Sequence, residues 1–116
     1  MTDREGDRLV LADLAESGSD MNKPAHTIHF LCFKTIESAK SAAIDLEAEG
    51  FTNVRIERLP CESVLKRLLR QNDFICVAET HAVPSEANVF AASDRMETVA
   101  QKYDGKYDGW EASVEI

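Results

Sequence analysis

Three histidines are the first residues that could do chemistry. His26 and His29 lie at the start of one β-rich stretch, and His81 closes another, two residues after Glu79. If those stretches pair antiparallel, the beginning of one meets the end of the other, and His29 or His26 can approach His81 and Glu79. Two imidazoles and a carboxylate can hold a metal ion or share a proton, so one reading is a metal-dependent enzyme using His29, His81 and Glu79. The plainer and preferred reading is a set of half-exposed strand histidines satisfied by backbone or water. Cys32 and Cys76 are expected near each other across the same two strands. A nucleophilic thiol needs a basic neighbour and access, and with neither indicated the pair reads as small buried hydrophobes. With Cys61 they make an odd count without CxxC spacing, so neither a disulfide framework nor a zinc site is signalled. Asp104, Asp108 and Glu111 lack the alternating loop spacing of a calcium ligand set and read as a solvated acidic face. No phosphate loop, His-Glu-x-x-His, nucleophile elbow or EF-hand spacing occurs. No catalytic residue, metal or cofactor is expected.

The most distinctive tetrapeptide is Tyr107-Asp108-Gly109-Trp110, which contains the only Trp of the chain. It reads as a tight turn into a final strand, with Gly109 letting the backbone turn and Trp110 anchoring it in the core. The functional alternative is an interface anchor, since Tyr and Trp are over-represented where partners dock.

The elements that must position these residues follow from periodicity. Residues 3 to 17 place Val10 with Leu14 and Leu11 with Ala15 at i,i+4, predicting an amphipathic helix that Gly18 ends. Gly18 to Pro24 is dense in turn formers and predicts a defined loop. Residues 27 to 33 are apolar on both faces, as are 73 to 80, so both should be central strands. Residues 52 to 59 alternate, with Val54 and Ile56 opposite Arg55 and Glu57, and the end of the chain alternates from Trp110 to Ile116, predicting two edge strands. Thr35 is a candidate N-cap for a helix carrying Ile36, Ala39, Ala43 and Leu46 and stopped by Gly50. Pro84 and Ser85 open another helix with Val89, Met96, Val99 and Ala100 inward, ending near Tyr103 to Gly105. A short amphipathic helix is expected at 62 to 71, with Val64, Leu65, Leu68 and Leu69 opposite Lys66, Arg67 and Arg70. The order predicts an α+β fold: a ferredoxin-like βαββαβ sandwich, antiparallel sheet order 4-1-3-2, with an added N-terminal helix. That helix should pack on the open sheet face, on an edge, or on another molecule.

At 116 residues, with 44% hydrophobic and 29% charged residues and a net charge of -8, the chain should form one domain over 1–116 with a real core. Apolar runs are far shorter than the roughly 20 residues needed to span a bilayer, and the acidic start does not resemble a secretory signal. A cytoplasmic location is expected. The acidic balance disfavours direct nucleic-acid binding, which draws on a basic face, and the strands lack the basic and aromatic interleaving that base stacking requires. Residues 1 to 20 carry six acids against two bases, and 71 to 116 carry nine against three. Residues 55 to 70 invert this, with five bases against two acids. Two acidic ends flank one basic segment.

The loop Gly-Ser-Asp-Met-Asn-Lys-Pro, the strand His29-Phe30-Leu31-Cys32-Phe33, the Ala-rich helix closing on Gly50-Phe51, and Tyr-Asp-Gly-Trp-Glu near the end together resemble the family of the regulator of ribonuclease E activity B. The likeness runs over residues 9 to 116, and Gly18, Asp20, Lys23, Pro24, His29, Phe30, Phe33, Gly50, Tyr107, Asp108, Gly109 and Trp110 match its pattern. The resemblance implies a ferredoxin-like scaffold without catalytic residues that binds and inhibits the endoribonuclease initiating bacterial mRNA decay. Of the matching positions, Gly18, Asp20, Lys23, Pro24, His29, Phe30, Tyr107, Asp108, Gly109 and Trp110 are the candidate partner-binding residues. The best-known members carry a long acidic C-terminal tail, whereas this chain is expected to end at Ile116, and the 62 to 71 segment replaces a shorter connection. The expected partner is a protein, a ribonuclease by the resemblance, with the oligomeric state open. An immunity protein that neutralises a toxin nuclease is the alternative among protein binders.

Overall fold

The computed structural model describes residues 4–58 and 74–113. Its elements are α1 (Arg4–Glu16), β1 (Ala25–Phe33), α2 (Ile36–Ala48), β2 (Thr52–Arg58), β3 (Phe74–Ala82), α3 (Glu86–Lys102) and β4 (Lys106–Ala112). The expected helix at 62 to 71, Cys61 and the last residues of the expected final strand lie outside the described residues.

The four strands form one antiparallel sheet in the order β2-β3-β1-β4, which is the expected order read from the other edge. The architecture is α+β. The two strands with apolar residues on both faces are the inner ones. On β1, Ala25, Thr27, His29, Leu31 and Phe33 point toward the helices and are buried. His26, Ile28 and Phe30 take the outer face by the two-residue period.

Helices α2 and α3 cover the inner face. Ala39, Ala42, Ala43 and Leu46 of α2 pack with Met96, Val99 and Ala100 of α3 around Leu31, Phe33 and Cys76. Alanines on α2 let that helix lie close to the sheet. Ile36, expected inward, is instead exposed, since the buried stripe begins a turn later at Ala39. Thr35 accepts from the Ser38 amide at 3.2 Å and Ser85 from the Asn88 amide at 3.1 Å, the side-chain caps that satisfy otherwise orphan donors. Between the two helices, Asp45 accepts from the Tyr103 hydroxyl at 2.7 Å and from Lys102 at 3.0 Å, and Arg95 pairs with Glu49.

Helix α1 sits on the helical side at the β4 edge, against α3. Leu11 and Leu14 join Val89 and Trp110 in a second cluster, with Val10, Met21 and Phe90 packed on it. Burying leucines of this kind contributes about 1.5–3 kcal/mol each, enough to dock a helix of 13 residues that would be marginal alone. One close approach fixes the join of α3 to β4. A Cβ on Gly105 would stand 2.4 Å from ring carbons of Phe33 and 2.6 Å from the Cys32 carbonyl, so only glycine lets the chain pass there.

Candidate functional site

Two polar clusters stand out, one on each side of the sheet. On the outer face, strand register puts His26 opposite His81 and Ile28 opposite Glu79, while Thr52 of β2 lies opposite Glu79 from the other side. A register shift between Thr52 and Arg55, with Asn53 at φ 48°, turns the Asn53 side chain toward the same carboxylate. Glu79 accordingly accepts from His26 Nε2, Asn53 Nδ2 and Arg55 Nη1, each at 2.5 Å. The His26 and His81 rings stack with centroids 4.9 Å apart. The Arg55 guanidinium, followed by His26 and with Asn53 adding, holds the Glu79 carboxyl below its ordinary range against an opposing effect of burial. Both oxygens of Glu79 are engaged, so the cluster is internally neutralised. It is suited to tying β2, β3 and β1 together, not to ligating a metal.

The set His29, His81 and Glu79 is not assembled. His29 lies opposite Ala78 and Trp110 on the inner face, because it stands three positions after His26 and the strand period of two sends residues at an odd offset to opposite sides. His26 alone of the two reaches Glu79. The same period separates the thiols: Cys76 lies opposite Leu31 and Cys32 opposite Ile75, so the expected proximity becomes a placement on opposite faces. Both are free and buried. Burial pushes the Cys76 thiol up to about 11 and raises that of Cys32, with Asp108 adding, which leaves neither as a ready nucleophile.

The second cluster contains the Tyr107 to Trp110 motif. These residues lie inside β4, not in a turn before it. The expected turn is replaced by a bulge: the register against β1 shifts between Phe30 and Leu31, and Gly109, at φ 115°, supplies the left-handed backbone such an irregularity requires. The shift returns both aromatic side chains of the motif to the inner face. Trp110 Nε1 donates to Asp7 Oδ1 of α1 at 2.9 Å, and Asp7 is only 6% exposed. The Tyr107 hydroxyl is hydrogen-bonded to His29 Nδ1 at 2.9 Å. His29 is 2% exposed, and burial lowers its pKa to about 4, so the imidazole is neutral near pH 7. Burial raises the Tyr107 phenol well above its ordinary value, with the negative charges of Asp7 and Glu97 adding.

The other candidate positions are spread more widely. Gly18 follows the last turn of α1, where the Gly18 and Ser19 amides bond the Ala15 and Leu14 carbonyls at 3.1 Å. Asp20 organises the loop, its side chain accepting from the Asn22 amide at 3.0 Å and its carbonyl from the Lys23 amide at 3.1 Å. Lys23 and Pro24 are exposed. The loop meets the Trp110 cluster through Met21. Phe30 stands on the outer face opposite Val77 and Gly109. Sequence reasoning missed Asp7, which continues the stripe of Leu11 and Leu14 at i,i+4,i+7. A carboxylate on the buried face of an amphipathic helix was the available signal. It also missed Asn53 and Arg55 as partners of Glu79, because the register shift that turns Asn53 to the outer face and the pairing that sets Arg55 beside Glu79 have no local signature.

The family model described as Regulator of ribonuclease activity B matches residues 4–112, from the first described turn of α1 to the end of β4. The chain belongs to that family. The match includes the residues of α1, the helix expected as an addition to the ferredoxin-like plan. Proteins named Regulator of ribonuclease activity B from Salmonella typhi, Escherichia coli (strain K12) and Shigella flexneri are each 28% identical over 108 residues, covering 92% of this chain and 73% of theirs. Among the described residues no group of three or more His, Cys, Asp or Glu is placed to hold a metal ion, and no helix is long and apolar enough to cross a membrane.

Proposed function

We propose that the chain is a non-catalytic regulatory protein that binds an endoribonuclease of the ribonuclease E type and lowers its activity. The observation that carries this reading is the family match over 4–112, since a regulator of ribonuclease activity acts on another molecule and needs a surface more than a reaction centre. The chemistry is consistent with that role. The carboxylate with the most donors, Glu79, is consumed by its own neighbours. The thiols are held protonated by burial, and the buried imidazole is neutral.

The arrangement of the sheet with α2 and α3 on one face supports reading the scaffold as ferredoxin-like. A net charge of -8 favours approach to a basic partner surface by long-range attraction and sets a repulsive barrier against direct contact with nucleic acid. The working place of such a regulator is the cytoplasm. Purified chain added to a ribonuclease E-type enzyme should slow cleavage of an RNA substrate, and the inhibition should weaken as salt rises from about 50 to 300 mM, as screening predicts. Undiminished cleavage at low salt would remove the reading, while inhibition insensitive to salt would remove its electrostatic part.

A further inference from the structure

Beside the Trp110 to Asp7 hydrogen bond, a groove of about 300 Å³ opens between α1, α3 and β4, and Asp7, Glu97, Tyr107, Asp108 and Trp110 line it. Its walls are aromatic and acidic at once. The Asp7 carboxylate is more than nine-tenths buried. One of its oxygens accepts from Trp110, but the other, Oδ2, has no hydrogen-bond partner among the described residues. A buried, half-satisfied carboxylate is costly, and folding alone would favour an amide or an apolar side chain on this stripe. No cation is paired with Glu97 or Asp108 among the described residues. The nearby Arg8 is directed to Glu86 and lies over the Phe90 ring.

We propose that this groove is an arginine-acceptor site, in which the guanidinium of a partner protein's side chain enters between Tyr107 and Trp110 and meets the carboxylates of Asp7, Glu97 and Asp108. The guanidinium is chosen over an ammonium because it is planar and less strongly hydrated. It can stack on an aromatic face while its fork of donors addresses carboxylates at the rim. Asp7, Glu97 and Asp108 line the same groove as Tyr107 and Trp110, so the acids converge on the aromatic wall. The bulge at Gly109 brings Tyr107 and Trp110 together on the groove despite their odd spacing along β4. As a contact for a ribonuclease, the site rests on the function proposed above; as a guanidinium site, it stands on the groove itself.

The test uses the full chain, labelled with nitrogen-15, titrated with N-acetyl-arginine amide and, separately, with N-acetyl-norleucine amide. The arginine compound should shift the Trp110 indole N–H saturably, and the uncharged compound should not. Combined Glu97→Gln and Asp108→Asn should weaken the arginine response at least fivefold, whereas Glu79→Gln on the outer face should leave it intact. Equal response to both compounds, or an unchanged affinity in the double variant, would overturn the site. A ribonuclease assay run on the same proteins separates the two ideas. If the wild-type chain inhibits and the double variant inhibits equally, the groove is not the contact and the regulatory reading survives. If the wild-type chain binds arginine but inhibits no ribonuclease E-type enzyme, the guanidinium site survives and the regulatory reading fails.

Discussion

Two carboxylates are largely withdrawn from water in this fold, Glu79 on the outer face of the sheet and Asp7 beneath α1, and their surroundings differ in one respect. Glu79 receives three donors from within the chain, two of them from residues that can carry positive charge. Asp7 receives one neutral donor, the Trp110 indole, and keeps an oxygen without a partner among the described residues. The first arrangement closes on itself and ties three strands. The second leaves negative charge unanswered at the edge of a groove where two more acids gather. The contrast teaches where to look for a partner: acidic groups matter for recognition when the fold has not already neutralised them.

The largest effect should come from removing the only donor that Asp7 has among the described residues. Trp110→Phe keeps most of the packing but strands a buried carboxylate, which should cost about 2–3 kcal/mol, measured by urea unfolding followed by circular dichroism. Adding Asp7→Leu to Trp110→Phe should recover most of that loss, because it removes the stranded charge. If Trp110→Phe alone proves neutral, Asp7 is satisfied by other means and the contrast with Glu79 disappears.

A comparable effect should appear with pH. The folded pKa of His29, about 4, lies below its ordinary value of 6.5, so the unfolded chain binds the proton first. Stability is then complete above about pH 6.5 and is lost as pH falls toward 4, by about 3 kcal/mol. Unfolding free energies taken across that range should slope downward toward acid, and a flat profile would contradict a neutral buried imidazole.

A smaller effect is expected on the outer face. Glu79→Gln should lower the urea midpoint less than Trp110→Phe does, since Arg55 and His26 are partly open to water and can rehydrate. The Glu79 carboxyl is held below its ordinary value of 4.5, first by Arg55. Its contribution is present above that value and lost as pH falls through the lower folded value, so the variant should flatten only the most acidic part of the profile. A larger loss for Glu79→Gln than for Trp110→Phe would reverse the contrast between the two carboxylates.

Much of the scaffold was legible because it depends on periodicity. The two-residue alternation of β2 and the doubly apolar runs of β1 and β3 sorted edge from inner strands, and Thr35 and Ser85 marked helix starts by their side chains. Register was not legible. Whether His26 or His29 meets Glu79 depends on how β1 pairs with β3, and two bulges, at Asn53 of β2 and at Gly109 of β4, shift the parity of their own strands without an unambiguous local signal. The bulge at Gly109 also explains why Tyr107 to Trp110 reads as a turn, since a Gly in left-handed conformation serves either. Long-range partners such as Asp7 for Trp110, 103 residues apart, cannot be read from spacing, although an acid on the apolar stripe of α1 was a visible anomaly.

The acidic groups that the fold leaves unpaired are the proposed contact through which this chain would restrain a ribonuclease. The direct measurement is the cleavage rate of a ribonuclease E-type enzyme in the presence of wild-type chain, Glu79→Gln, and Glu97→Gln with Asp108→Asn, at low salt and matched concentration. Strong inhibition is expected from the first two and at least fivefold weaker inhibition from the third. Equal inhibition by all three, or none by the wild-type chain, would contradict that contact.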